Sequence, residues 1–213
     1  DARAAWEALA ARGWAVVDRA AGAGDVAAAA AAARALHAAG RLVPVQAGQG
    51  RGDEVLVCRA RGLGGELSGL AGCAAVLREL PAALAAAAGQ GGAFEVPAVG
   101  EPPALQLARY APGGEGYPTH LDNDPAAEGR DVGPPGWRIA DRALTAILYL
   151  NDGGEWDAGR DGGCLQLPES GEDVAPVGGR VVLLLAEHTP HGVQPAQRER
   201  LALSAWYPII DRS

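Results

Sequence analysis

The sequence predicts a mainly β chain, a sandwich or jelly roll, supported by N-terminal helices (α+β). Two observations carry that expectation. From about Leu105 the chain reads as short apolar runs separated by Gly, Pro and Asp clusters, the signature of many strands joined by turns. Before that point it reads mainly as helix, rich in alanine and poor in β-branched residues. At 213 residues the chain can bury one full-sized core. One domain over 1–213 is therefore expected, with 1–100 as mostly helical support and 105–208 as the jelly-roll core. No internal repeat or linker divides it.

The elements follow in order. Residues 4–11, with Trp6 and Leu9, form a short helix stopped near Gly13, and Trp14-Ala15-Val16-Val17 reads as a strand. Asp25 is placed to cap a long helix through Ala39, ended by Gly40. One face of that helix carries Val26, Leu36 and alanines. A turn-rich loop over 48–53 leads into a strand at 54–58. A helix is expected over 67–80, with Pro81 breaking it or opening a second helix through Ala88. Strands are expected at 105–110, 119–122, 144–149, 164–167, 180–185, 192–194 and 201–207. The stretch 123–141, with Gly133-Pro134-Pro135-Gly136, is too long and too rich in breakers for a hairpin and reads as a functional loop.

Composition excludes several classes. A formal charge of −8 argues against a bare electrostatic nucleic-acid binder. Cys58, Cys73 and Cys164 are scattered and odd in number, forming neither a CxxC pair nor a disulfide framework, which favours a reducing compartment. The chain holds no Met and starts at Asp1, so its original start is expected to be missing and the compartment is read from cysteine usage alone. No window is expected to reach the length and apolarity of a membrane span.

The residues with most chemical content are His120-Leu121-Asp122, followed later by Pro190-His191-Gly192-Val193 and Arg200. A His and an Asp two apart on a strand share a face. A second His from a distant strand would complete two imidazoles and one carboxylate, the facial set that holds non-haem Fe(II) and leaves positions open. His191 begins a predicted strand, whereas its rival His188 sits in a turn; His37 falls on a helix and reads as structural. Arg200 lies where strand alternation can turn it inward, with Arg198 of the same parity as its rival. A buried arginine needs an anion, and a dicarboxylate co-substrate would supply one for its fork of N–H donors. Tyr149 and Tyr110 could present phenols to that carboxylate or serve as core residues.

The run Leu107-Ala108-Arg109-Tyr110 through Gly116-Tyr117-Pro118-Thr119-His120-Leu121-Asp122-Asn123 resembles the Fe(II)/2-oxoglutarate prolyl hydroxylases that act on hypoxia-inducible transcription factors, and their intracellular relatives. The resemblance continues through Tyr149-Leu150-Asn151, Trp156-Asp157-Ala158, Gly162-Gly163, Pro190 to Pro195, Arg200 and Trp206-Tyr207. It also reaches Arg34 to His37, Gly40 and Arg51-Gly52-Asp53. It implies a double-stranded β-helix, the distorted, cupin-like jelly roll. It further implies His120, Asp122 and His191 as iron ligands and Arg200 on the distal carboxylate of 2-oxoglutarate, assisted by Tyr149. Tyr110, Thr145 and Leu165 would line that pocket, Trp206 would pack beside it, and Asp53, Tyr117, Arg142 and Val193 would surround the substrate entrance. Arg51-Gly52-Asp53 also spells an integrin-type tripeptide, read as coincidence in an intracellular chain. Collagen-type relatives are expected to use a lysine for the co-substrate and to carry secretory cysteine pairs; this chain has no lysine at all. Its departures from the pattern are the 123–141 insertion, two extra residues at Gly153-Gly154, and Gln106 in place of an apolar pocket residue.

The activity so implied is hydroxylation of a prolyl residue at the 4-position in an intracellular protein, using Fe(II), 2-oxoglutarate and O₂ with ascorbate as a further cofactor, and releasing succinate and CO₂. The expected partner is a proline-containing protein or peptide, with no nucleic acid and no membrane, and the chain is expected to be a monomer of the cytoplasm or nucleus. Two other readings keep the scaffold: the same oxygenase core acting on another side chain or a small molecule, and a non-catalytic jelly-roll binding module. The second would have no need of three ligands and Arg200.

Overall fold

The computed structural model describes residues 1–45, 50–151 and 156–210. Part of the expected 48–53 loop, and the Gly153-Gly154 insertion, fall outside them. Eleven strands form two antiparallel sheets among these residues. The major sheet has the order β1-β9-β6-β11-β4-β3-β2 and the minor sheet β5-β10-β7-β8. The major sheet comprises β1 (Trp14–Val17), β2 (Val43–Pro44), β3 (Asp53–Arg59), β4 (Ala104–Tyr110), β6 (Arg142–Tyr149), β9 (Val181–Leu185) and β11 (Arg200–Pro208). The minor sheet comprises β5 (Tyr117–His120), β7 (Leu165–Leu167), β8 (Glu172–Val174) and β10 (His191–Val193). These two facing sheets are the jelly roll that the sequence leads one to expect. The first hundred residues do more than buttress it, because β1, β2 and β3 are strands of the major sheet itself.

Alternation sorts the major sheet into two faces. Leu144, Ala146 and Leu148 on β6 and Leu201, Leu203 and Tyr207 on β11 join Leu183 of β9 in a core shared with the helices. Ile147, Tyr149, Val182, Leu184 and Ala202 face the other way, into a second core between the sheets with Leu165 and Val193. A central strand buried on both faces needs an unbroken apolar run, and β9, Val-Val-Leu-Leu-Leu, is buried at every position.

The helices show where local rules held and where distant contacts overrode them. Helix α1 (Ala2–Arg12) begins at Asp1, whose side chain accepts from the Arg3 amide, and ends at Gly13 in the left-handed region. Helix α2 (Ala23–Ala38) is capped by Gly22 and not by Asp25, which lies within the first turn. Its buried face is Val26, Ala29, Ala30, Ala33 and Leu36, small enough for close approach to its neighbours. A 3₁₀ turn over Gly65–Leu70 leads into α3 (Ala71–Ala87), which runs straight through Pro81. The expected break does not occur. A proline cannot donate to the carbonyl four residues earlier, here that of Leu77. That carbonyl instead accepts from the buried Tyr207 hydroxyl at 2.8 Å. A short α4 (Ala158–Asp161) precedes β7.

One composition expectation is corrected. Gly65–Ala87, 23 residues that include an 18-residue window with a mean hydropathy of 1.5, is long and apolar enough to cross a membrane by length and composition alone. Alanine and leucine together supply that hydropathy. In the fold its Leu70, Cys73, Ala74, Leu77 and Leu84 pack into the core beneath the major sheet.

Candidate metal centre and co-substrate pocket

His120 ends β5 and His191 opens β10; the two strands pair, with these residues in register. Their rings lie 4.5 Å apart. Asp122 does not share the strand with His120, as expected from spacing, but sits in the turn just beyond it. The turn brings it back: its Oδ1 lies 3.6 Å from His120 Nε2 and its Oδ2 3.5 Å from His191 Nε2. One ligand atom from each of the three falls within 4.8 Å of the others. Each Nδ1 lies 3.0 Å from a backbone carbonyl, of Pro118 for His120 and of Thr189 for His191. A carbonyl only accepts, so Nδ1 carries the proton and Nε2 presents a lone pair to the centre.

The electrostatics agree with that geometry. Burial alone would raise the Asp122 carboxyl. The neighbouring imidazoles of His191 and His120 and the Thr145 hydroxyl outweigh it and hold the group well below the usual carboxylate range. Burial keeps the His191 imidazole below its ordinary value, against the pull of Asp122. An ionised carboxylate and a neutral imidazole are the forms that bind a divalent cation. His188 is exposed in the turn after β9, against the Phe94 ring, and takes no part in this cluster.

Arg200 opens β11 and is only 2% exposed. Its Nε donates to the Gly163 carbonyl at 2.8 Å. Gly163 has a φ of +67°, and a Cβ there would lie 3.3 Å from Arg200 Cδ, so the position favours glycine twice over. The guanidinium faces the Tyr110 and Tyr149 rings, at 4.9 and 5.1 Å. Burial pushes both phenols up, while Arg200 pulls them down. Asn151 fixes the start of the strand, its Oδ1 accepting from the Leu201 amide at 2.8 Å. The rival Arg198 points elsewhere, 3.5 Å from Asp161 and over the Trp156 ring.

A cavity between the sheets connects the two groups of residues. It is lined by His120, Asp122, His191 and Arg200 together with Tyr110, Thr145, Leu165, Trp206, Asp53, Tyr117 and Val193. Tyr149 is fully buried and stands behind Arg200 instead of lining the cavity. Arg142 lines a neighbouring groove; its guanidinium lies over the Trp206 ring at 4.2 Å and donates to the Asp122 carbonyl at 3.3 Å. Thr145 has a second role besides lining, donating to Asp122 Oδ2 at 2.7 Å.

Sequence reasoning missed several lining residues. Ala108, Ala202 and Ser204 share strand parity with Tyr110 or Arg200, and that signal was available; Gln106, expected at a pocket position, does line the cavity. Arg51 was not readable locally. It forms a two-pronged ion pair with Asp53, at 2.9 and 2.7 Å, and donates to the Tyr117 hydroxyl at 3.1 Å. Gly52 lies so close to the Glu115 backbone that no side chain fits there. The tripeptide that looked like an integrin motif is thus an inward ion pair. Arg51 covers one face of the Tyr117 ring at 4.0 Å, and Tyr117 stacks on His120 at 3.9 Å.

Three buried side-chain groups in this region lack hydrogen-bond partners among the described residues: Trp206 Nε1 and, side by side, Arg200 Nη2 and the Tyr149 hydroxyl. The last two can both donate, and buried donors without acceptors are costly. A bound carboxylate would satisfy both, and two imidazoles with a carboxylate suit Fe(II), so the residues present fit the metal and a dicarboxylate.

The fold and this site define a non-haem iron oxygenase. Residues 105–208 match the family described as the 2OG-Fe(II) oxygenase superfamily, and the chain belongs to it. The fold is similar to the crystal structure of a Pseudomonas putida prolyl-4-hydroxylase, with a TM-score of 0.74 and 30% identity over 99% of this chain and all of that one. A Trichoplax adhaerens prolyl hydroxylase, in complex with a hypoxia-inducible factor oxygen degradation domain peptide, shares the fold at a TM-score of 0.77 and 19% identity, covering 98% of this chain and 89% of that one. By sequence, the Mus musculus prolyl hydroxylase EGLN3 is 34% identical over 106 residues, 47% of this chain; the match spans 38% of that relative's length.

Proposed function

We propose that this chain is a protein prolyl 4-hydroxylase, in which His120, Asp122 and His191 hold Fe(II) and Arg200 binds the distal carboxylate of 2-oxoglutarate. The observation that carries the reading is the pairing of a three-ligand cluster with unsatisfied donors at the far end of the same region. Similarity to the Pseudomonas putida prolyl-4-hydroxylase over the whole chain supports proline as the target. When bound, Fe(II) with 2-oxoglutarate and O₂ supplies the oxidant that hydroxylates an unactivated C–H bond, yielding succinate and CO₂.

The chain's own residues supply position and exclusion. His120 and His191 are held by their Nδ1 bonds, and Thr145 fixes one Asp122 oxygen. Arg200 and Tyr149 would orient the co-substrate from the closed end of the cavity, where Leu165 and Ile147 keep water out. Asp53 holds Arg51, and with Tyr117, Trp206 and Val193 would frame the arriving proline. We take the chain as one domain and a monomer of the cytoplasm or nucleus, acting without nucleic acid or membrane. The three free cysteines, Cys58, Cys73 and Cys164, support a reducing compartment.

The test is stoichiometry. Purified protein with Fe(II), 2-oxoglutarate and proline-containing peptides should give succinate and hydroxyproline in equal amounts, measured by mass spectrometry. Hydroxylation only at other side chains would transfer the reading to another target on the same core.

A further inference from the structure

A groove of about 840 Å³ lies beside the metal cluster, on the far side of Asn123 and Arg142. That volume is typical of a ligand site and exceeds what packing defects leave. It belongs to none of the chemistry described above. Its apolar walls are Trp6, Phe94, Ile209 and Ile210. The two isoleucines are more than half exposed, which is unusual for adjacent large aliphatic residues. The same walls carry carboxylates, Glu95, Asp141 and Glu187. Asp141 accepts from the Gly136 amide, while Glu95 and Glu187 enter no ion pair among the described residues. Among the described residues the one arginine lining the groove, Arg142, is turned toward Trp206 and Asp122.

We infer that this groove receives the segment of the protein substrate that flanks the target proline, and that it selects a segment carrying apolar residues and lysine or arginine. This rests on the reading as a protein prolyl hydroxylase. Two relationships support it. The groove adjoins the reaction site: Asn123 in its wall follows Asp122 directly, and Arg142, also in its wall, donates to the Asp122 carbonyl. Its charge is complementary to a basic partner, with two carboxylates, Glu95 and Glu187, that enter no ion pair among the described residues. Apolar contact would supply affinity, and the carboxylates would supply selectivity and encounter rate.

The test uses two labelled peptides of about twenty residues, long enough at ~3.3 Å per residue to reach from the cavity into the groove. Each has one central proline with leucines, flanked by lysines in one and glutamates in the other. The wild-type protein should favour the lysine peptide by about three- to tenfold in kcat/KM and in binding by fluorescence anisotropy, the preference shrinking as salt rises. Glu95→Lys with Glu187→Lys should invert that preference and leave Fe(II) and 2-oxoglutarate binding unchanged. Charge-dependent binding without hydroxylation would support the groove and sink the proline reading. Hydroxylation of both peptides with a preference unmoved by the charge reversal would overturn the groove alone. A wild-type dimer that the reversed variant abolishes, seen by light scattering, would assign the groove to a second copy and overturn it as well.

Discussion

Thr145 and Asp122 are joined across the jelly roll: the hydroxyl on the major sheet donates at 2.7 Å to a carboxylate carried by a turn of the minor sheet. The bond takes up Oδ2 and so fixes the rotation of the carboxylate about its own axis. Partners of this kind orient ligands and contribute about ten- to a hundredfold to metal affinity. Thr145→Val keeps the shape and removes the donor. It is expected to weaken Fe(II) binding by roughly that factor without lowering the melting temperature by more than a few degrees. Thr145→Ser should restore affinity. Anaerobic Fe(II) titration of the three proteins checks this.

Arg200 and Arg198 separate orientation from mere charge. Arg200→Lys replaces a fork by a point ammonium and abandons the Gly163 carbonyl. Losing one charge-assisted bond costs about 1.5–3 kcal/mol, so the 2-oxoglutarate dissociation constant should rise by about ten- to a hundredfold. Arg198→Ala acts at Asp161, away from the cavity, and should change it by less than about twofold. Isothermal titration with 2-oxoglutarate measures both; equal effects would place the anion elsewhere.

Tyr207 compensates for Pro81. Removing the hydroxyl by Tyr207→Phe leaves the Leu77 carbonyl buried without a donor, at a cost of about 1–3 kcal/mol. Pro81→Ala restores a helical N–H to that carbonyl. In the Pro81→Ala background the Tyr207→Phe substitution should therefore cost distinctly less. Urea unfolding of the four proteins in a double-mutant cycle reads the coupling directly.

Glu199 lies between Arg34 and Arg109, at 2.7 and 2.8 Å. Burial would raise its carboxyl, but the two guanidinium bonds prevail and hold it below its ordinary value of 4.5. A depressed carboxylate contributes stability that is present above its unfolded value and lost as pH falls through the folded one. Stability should thus decline below about pH 4.5 more steeply in the wild type than in Glu199→Gln, as followed by thermal melts across pH.

What the sequence revealed follows from the range over which physics acts along a chain. The apolar runs of β6, β9 and β11 exposed the core strands, and alternation allowed Arg200 to turn inward while leaving Arg198, of the same parity, as its rival. His120 and His191 were legible because each borders a strand. Asp122 was reached by the right residue and the wrong geometry, since a turn and not a strand brings it to the cluster. Pro81 obeyed no local rule because its remedy, Tyr207, lies far along the chain. Arg51 was dismissed for the same reason: the ring it covers, Tyr117, is distant in sequence. The groove between Phe94 and Ile210 had no signal in any one segment.

The ligand assignment is the claim on which the rest depends, and the two histidines near the end of β9 test it most directly. Anaerobic Fe(II) titration of wild type, His188→Ala and His191→Ala is the measurement. His188→Ala should bind Fe(II) as the wild type does, because its ring is exposed and outside the cluster. His191→Ala removes one of three ligands and should reduce affinity by at least about a hundredfold. Loss of iron in His188→Ala with binding retained in His191→Ala would contradict the account.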